Sequence, residues 1–266
     1  MEIFAHEDPV LKLKELRDKF LSLKLVFIQL DNEDDAYLIF ETLNARGRDL
    51  KTSDLVKNLI LKTIKNSHHS LDSPKEAWSS LVKRFDDISD SSVIDAFLLH
   101  FWISKHAYTT DKKLFALIKE YIKIDSNNAK VLLHDLGEYA VCYSRMLSPE
   151  SSEWTKELFE VKTSLIALNS FKVKQQSSFV LALLVAYDSK KITLKQLKST
   201  LKQIEHFHFA FNAVTQQRSS GSIATMYSQN SIRLTEAQDN DAVQRVLTGL
   251  KRKLNEKLPS YGEFEV

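Results

Sequence analysis

One cysteine, four prolines and five glycines in 266 residues leave this chain short of staples, breakers and turn-makers. A lone Cys142 has no internal disulfide partner, which fits a reducing compartment and predicts a cytoplasmic protein. Scarce glycine and proline argue against a turn-rich all-β chain and predict one built mostly of helix. Charge of one sign is lacking too. The formal net charge is +2, so no bulk field drives the chain toward nucleic acid or a membrane surface. The start, MEIFAHEDPV, has no basic region followed by an apolar run and does not read as a signal peptide. The most apolar stretch, SSFVLALLVAYDS, is too short to span a bilayer and reads as a buried helix. No Gly-x-x-x-x-Gly-Lys-Ser/Thr phosphate loop, Gly-x-Ser-x-Gly elbow, His-Glu-x-x-His or Cys-x-x-Cys pattern occurs.

What is there is ordinary for a globular chain: 43% hydrophobic and 27% charged residues, with enough length to bury a core. Leu11, Leu13, Leu16 and Phe20 among charged neighbours predict an amphipathic first helix. LKLVFIQLD, residues 23–31, is short, apolar and β-branched, and reads as the sole convincing strand. One strand cannot make a sheet, so the sheet it belongs to is incomplete. From Asn32 the period turns helical, with Ala36, Ile39, Phe40 and Leu43 on one face and Gly47 at the helix end. Thr52 or Ser53 then caps a second helix carrying Val56, Leu59, Ile60 and Ile64. Further helices are expected at Trp78–Phe85, Val93–Ser104, Leu114–Ile122, Ala129–Met146, Trp154–Asn169, Ser177–Tyr187, Thr193–Val214 and Val243–Leu258. The fold class is mainly α: a helical bundle after a short mixed α/β segment near the N-terminus.

The least ordinary stretch is IFETLNARGRDLKTSDLVKNLIL, residues 39–61. Arg46 and Arg48 flank Gly47, a helix N-terminus begins about five residues later, and Lys57 and Asn58 follow within two turns. Unpaired N–H groups at a helix start favour an anion. With Asn44, these residues make a candidate phosphate or carboxylate cradle. A plain connector, its arginines solvated or paired with Asp49 and Asp54, explains the same pattern and stays open beside it.

A second polar turn, TQQRSSGSIATMYSQ, places Arg218, Ser219, Ser220 and Gly221 together as a secondary candidate loop. The preceding EHFHFAFNAV alternates like a strand and equally fits a buried helix. A helix cap with a flexible loop is the bland reading of the turn. His206 and His208 beside Glu205 lack metal-helix spacing and read as packed or solvated, as do His68 and His69. An enzyme using His206 and His208 with Glu205 would need a metal. Cys142 reads as a core residue. Asp86–Asp87 and Asp239–Asp241 fit solvated loops or helix starts, and the basic runs Lys190–Lys202 and Arg245–Lys257 fit solvated faces, the latter within reach of phosphates. No catalytic residue and no metal ligand is assigned.

The elements Phe40-x-x-x-Asn44-x-Arg46-Gly47 and Asp54-Leu55-x-Lys57-Asn58, after the strand LKLVFIQLD, resemble the GmrSD-type restriction endonuclease family. They look like the later part of its ParB/sulfiredoxin-like amino-terminal domain, long catalogued as of unknown function. QQRSSGSIATMYS and the closing KLPSYGEFEV resemble its helical middle region. The resemblance implies a bacterial anti-phage protein for nucleotide-dependent restriction of foreign DNA, with NTP and Mg²⁺ as the family's cofactors and none held by this chain alone. It divides the chain into residues 1–66, a remnant of the nucleotide domain, and residues 67–266, a helical domain, unless the two are one continuous domain.

Two departures matter. The family's Asp-Gly-Gln-Gln-Arg motif is absent, Gln216-Gln217-Arg218 being no substitute, and so is its His-Asn-His nuclease motif. The expectation is therefore a truncated, split or internal piece, inactive alone, whose partners are a missing amino-terminal half, a nuclease or DNA, and not a membrane. The competing class is a non-catalytic helical module that docks on a partner protein or DNA, the strand edge offering a place for strand addition.

Overall fold

The structure, a computed structural model, describes residues 9–24, 51–67, 72–88, 90, 92–215 and 221–259. The chain divides into two compact units, Met1–Leu50 and Lys51–Val266. In the first, the described element is α1 (Pro9–Leu21). The second runs α2 (Thr52–Ser67), α3 (Asp72–Lys83), α4 (Val93–Lys105), α5 (Asp111–Ile124) and α6 (Asn128–Leu147). A 3₁₀ turn (Lys156–Leu158) then leads into α7 (Phe159–Ser170) and α8 (Ser177–Asp188). Next come α9 (Leu194–His208), continued by a π-helical turn (Phe209–Val214), then α10 (Gly221–Glu236) and α11 (Asn240–Glu256). The mainly α expectation holds: among the described residues there is no strand. The expected strand LKLVFIQLD lies outside the described residues except for Leu23 and Lys24, which belong to no regular element. The helix expected from Asn32 and its Gly47 end also lie outside them.

Why the second unit folds as it does is clearest at α8. Ser177 through Leu184 and Ala186 are all buried, as a helix apolar on every side requires. It packs against α4, α6, α9 and α10. Phe179, Leu181 and Leu183 expose no surface, and each such side chain stabilises by roughly 1.5–3 kcal/mol. At the rim, α11 buries only Val243, Leu247, Leu250 and Leu254, one stripe at helical spacing.

Caps and turns set the helix limits. Thr193 and Gln196 form a capping box at α9, and the Asp239 carboxylate accepts from Ala242 N–H at 2.7 Å at α11. Where glycine usually ends a helix, this glycine-poor chain uses lysine. Lys172 after α7 and Lys190 after α8 have φ of 54° and 61°, a left-handed backbone that costs a residue with a Cβ about 1 kcal/mol. Lys190 N–H donates to Tyr187 O and Lys191 N–H to Ala186 O, closing α8.

Three expectations are corrected. The helix placed from Trp154 begins later, because Trp154 Nε1–H donates to Pro149 O at 2.7 Å and Arg145 covers its ring. The single helix placed over Thr193–Val214 changes at Phe209 to a π-turn in which Thr215 N–H reaches Ala210 O. The polar turn TQQRSSGSIATMYSQ is helix from Gly221 onward. Within it Ser228 is buried, as are Asn230 and Ser231 just beyond it, while Ser222 and Gln229 are exposed. Ser228 Oγ donates to Ile103 O, Asn230 Nδ2 to Met226 O and Ser231 Oγ to Tyr227 O. Satisfied this way, they sit in the core without the usual cost of a buried polar group.

Candidate functional site

Asn44, Arg46, Gly47 and Arg48 lie outside the described residues. Lys57 and Asn58 are on α2, half-buried and exposed respectively. At the start of α2 the Ser53 N–H, expected to wait for an anion, donates to Asp95 Oδ1 of α4 at 2.7 Å. A carboxylate of the chain itself thus serves this N–H in the way an outside anion would. Of the secondary loop, Arg218, Ser219 and Ser220 lie outside the described residues. Gly221 opens α10, and a Cβ there would meet nothing within 4 Å. That position does not require glycine on steric grounds.

The histidine pair separates. His206 is exposed while His208, two residues on, is buried. His208 Nδ1 meets Asn212 Oδ1 at 2.7 Å and its Nε2 meets Tyr227 OH at 3.0 Å. Both ring nitrogens are engaged, and burial holds the imidazole below its usual pKa. Glu205 is turned to Ser164 Oγ and Lys202 Nζ, each at 2.7 Å. No group of three or more His, Cys, Asp or Glu that could hold a metal occurs among the described residues. Cys142 is buried and its thiol donates to Asp188 Oδ2 at 3.3 Å. Burial and that carboxylate raise its pKa, which keeps it a thiol and a poor nucleophile.

A second buried histidine, unremarked in the sequence, lines a cavity of about 210 Å³ among α4, α6, α7, α8 and the segment joining α7 to α8. His100 Nδ1 meets Tyr143 OH at 2.7 Å. Burial, helped by the Lys174 charge, lowers the His100 pKa to about 4, so the ring is neutral at pH 7. Burial also raises the Tyr143 phenol, which stays protonated. Met146, Leu165, Leu168 and Val180 supply apolar wall. Asn169 ties α7 to the end of α6, its Nδ2 donating to Met146 O and Leu147 O. Lys172, Lys174 and Asp90 also line the cavity, and all three are exposed.

The polar group that stands out is Gln176, 5% exposed. Its Nε2 donates to Val173 O at 2.8 Å, which fixes the amide's orientation. Its Oε1 is buried with no hydrogen-bond partner among the described residues. An unmet buried acceptor costs about 1–3 kcal/mol. No motif marks Gln176 or His100. The one sequence signal was Lys174-Gln175-Gln176-Ser177-Ser178 set directly against the most apolar run of the chain.

Fold and cavity together define a helical bundle with a small amphipathic chamber in its second unit. The affiliation comes from the other end of the chain. Residues 3–61 match the family model of the GmrSD restriction endonuclease N-terminal domain, and over that stretch the resemblance to the GmrSD-type family is shown. The match runs through the boundary between the two units, so α2 carries its last residues. No curated protein and no solved structure matches the chain.

Proposed function

We propose that this protein works in a GmrSD-like restriction system in the cytoplasm, defending against phage by nucleotide-dependent restriction of foreign DNA. The observation that carries the reading is the match over residues 3–61. On its own the chain neither hydrolyses NTP nor cuts DNA. Supporting this, neither Asp-Gly-Gln-Gln-Arg nor a His-Asn-His-type motif occurs in its sequence. Residues 1–66 carry the nucleotide-contacting residues, and a partner chain supplies the Asp-Gly-Gln-Gln-Arg motif. Residues 67–266 form the helical domain. Asn44, Arg46, Gly47, Arg48, Lys57 and Asn58 are the residues offered to the nucleotide's phosphates, while Mg²⁺ belongs to the assembled system. Arg218, Ser219, Ser220 and Gly221 are a second place for a phosphate.

The test assays the purified chain with Mg²⁺ for NTP hydrolysis and for cleavage of modified and unmodified DNA. Only background is expected, with turnover appearing when the motif-bearing partner is added. An Arg46→Ala chain should then need at least about tenfold more nucleotide, the loss of one charge-assisted hydrogen bond. Turnover by the isolated chain would overturn the reading. A complex that binds DNA but shows no response to any nucleotide would favour the non-catalytic docking module.

A further inference from the structure

The cavity beside His100 lies wholly within Lys51–Val266 and is untouched by the reading above. Its polar lining divides into groups already spent and groups still free to bond. Asn169 Nδ2 is taken by Met146 O and Leu147 O, and Gln176 Nε2 by Val173 O. Asp90 Oδ1 accepts from Ser92 N–H at 2.9 Å and from Ser92 Oγ–H at 2.7 Å, which ties that carboxylate to the start of α4. The Tyr143 hydroxyl has no second partner among the described residues, so it donates to His100 Nδ1 and leaves the imidazole proton on Nε2. Neither Lys172 nor Lys174 has an ion pair among the described residues, and both line the exposed rim. The Lys174 charge acts on Asp90 and on His100 alike, so it stands close to both. Two cations against the Asp90 carboxylate leave the rim with an excess of positive charge. Behind it, Met146, Leu165, Leu168 and Val180 are apolar wall. An alkylamine would be repelled by this rim, a neutral hydrocarbon would use only the wall, and an inorganic anion only the rim. A carboxylate with an apolar body uses both, and its oxygens can only accept, which suits the unspent donors.

We propose that this chamber is a binding site for a small amphipathic carboxylate, its apolar body between the walls and its charged end at the Lys172–Lys174 rim. The volume sets the size of that body. A dry cavity of roughly 150 Å³ holds benzene, so one of about 210 Å³ has room for a single substituted ring or a chain of roughly six carbons.

Hexanoate is the probe, titrated into the full chain by calorimetry and by ligand-observed NMR, with butanoate, hexanol and hexylammonium alongside. Hexanoate should bind saturably with a Kd on the order of 0.1–1 mM, as fits so few atoms. It should bind about tenfold tighter than hexanol or hexylammonium, at about threefold for each exposed cation. Shortening to butanoate should weaken binding by up to about fourfold for each CH₂ removed. The double variant Lys172→Met, Lys174→Met keeps the apolar stems and removes both charges. It should bring hexanoate down to the level of hexanol and leave hexanol unchanged. Ala96 lines the cavity from α4, and Ala96→Phe, which fills it, should abolish the binding of both. Retained thermal unfolding temperatures show that the variants fold, and the lysine pair, being exposed, carries the test if Ala96→Phe does not. The proposal is overturned by no saturable hexanoate binding up to about 10 mM, the cavity then holding water alone. Hexylammonium binding as tightly as hexanoate, or unchanged hexanoate affinity in the lysine double variant or in a folded Ala96→Phe chain, overturns it equally.

Discussion

Two buried histidine–tyrosine pairs, one joined through Nδ1 and the other through Nε2, end in opposite situations. His208 has Tyr227 on one nitrogen and Asn212 on the other, and it is the last residue of α9, just before the π-turn. His100 has Tyr143 on one nitrogen and a cavity beside the ring. Burial lowers both imidazoles, so neither carries charge at pH 7. The difference is the second partner, and it separates a structural histidine from one with an unspent donor. A buried histidine becomes a candidate site only when the count of its hydrogen bonds falls short.

The largest expected effect comes from deleting each ring. His208→Ala should cost about 3–4 kcal/mol, because it opens a void and leaves the buried Tyr227 hydroxyl without its partner. His100→Ala should cost about 1–2 kcal/mol, since solvent already in reach of the cavity can serve Tyr143. Urea unfolding measures both. Equal losses would erase the contrast.

A middling effect is expected in acid. The unfolded imidazole titrates near pH 6.5 and the folded His100 near 4, so between those values the unfolded chain holds the extra proton. Stability from this group is full above pH 6.5 and drains as pH falls toward 4, by up to about 3 kcal/mol. In His100→Phe the fall between those two values should be shallower than in the parent. A parallel fall in the two proteins would show that His100 does not titrate as a buried neutral group. His208 drains stability in the same direction.

The smallest effect concerns the turns. Lys172→Gly, at the cavity, and Lys190→Gly, after α8, each relieve a left-handed backbone, offset by glycine's freer unfolded state. Each should change stability by no more than about 1 kcal/mol in the stabilising direction. Tm measures both.

Most of the helices were legible because their apolar residues recur at helical spacing. Val243, Leu247, Leu250 and Leu254 are an example, and the all-apolar α8 announced its own burial. The helix α10 was illegible for a definite reason. Ser228, Asn230 and Ser231 interrupt its apolar stripe, yet they are buried because they bond to carbonyl oxygens, one of them on α4, far away in the sequence. No local window contains that carbonyl. The matched residues 3–61 were legible through spacing of Asn44, Arg46 and Gly47 rather than through periodicity. The cavity was not legible at all. It is an absence of packing between helices, and the unmet oxygen of Gln176 is a property of its surroundings, which the residue's name does not record.

The place of α8 also fixes an order of events at the ribosome. Two of the helices that bury it, α4 and α6, are made before it, and two, α9 and α10, after. At about 5–20 residues per second, synthesis from Asp188 to Glu236 takes several seconds. Throughout that interval the most apolar segment of the chain is half covered, with Phe179 and Leu183 awaiting neighbours not yet made. A nascent chain halted anywhere between those points displays a greasy helix to the cell, and it is there that trigger-factor-like holdases and proteases have their opening.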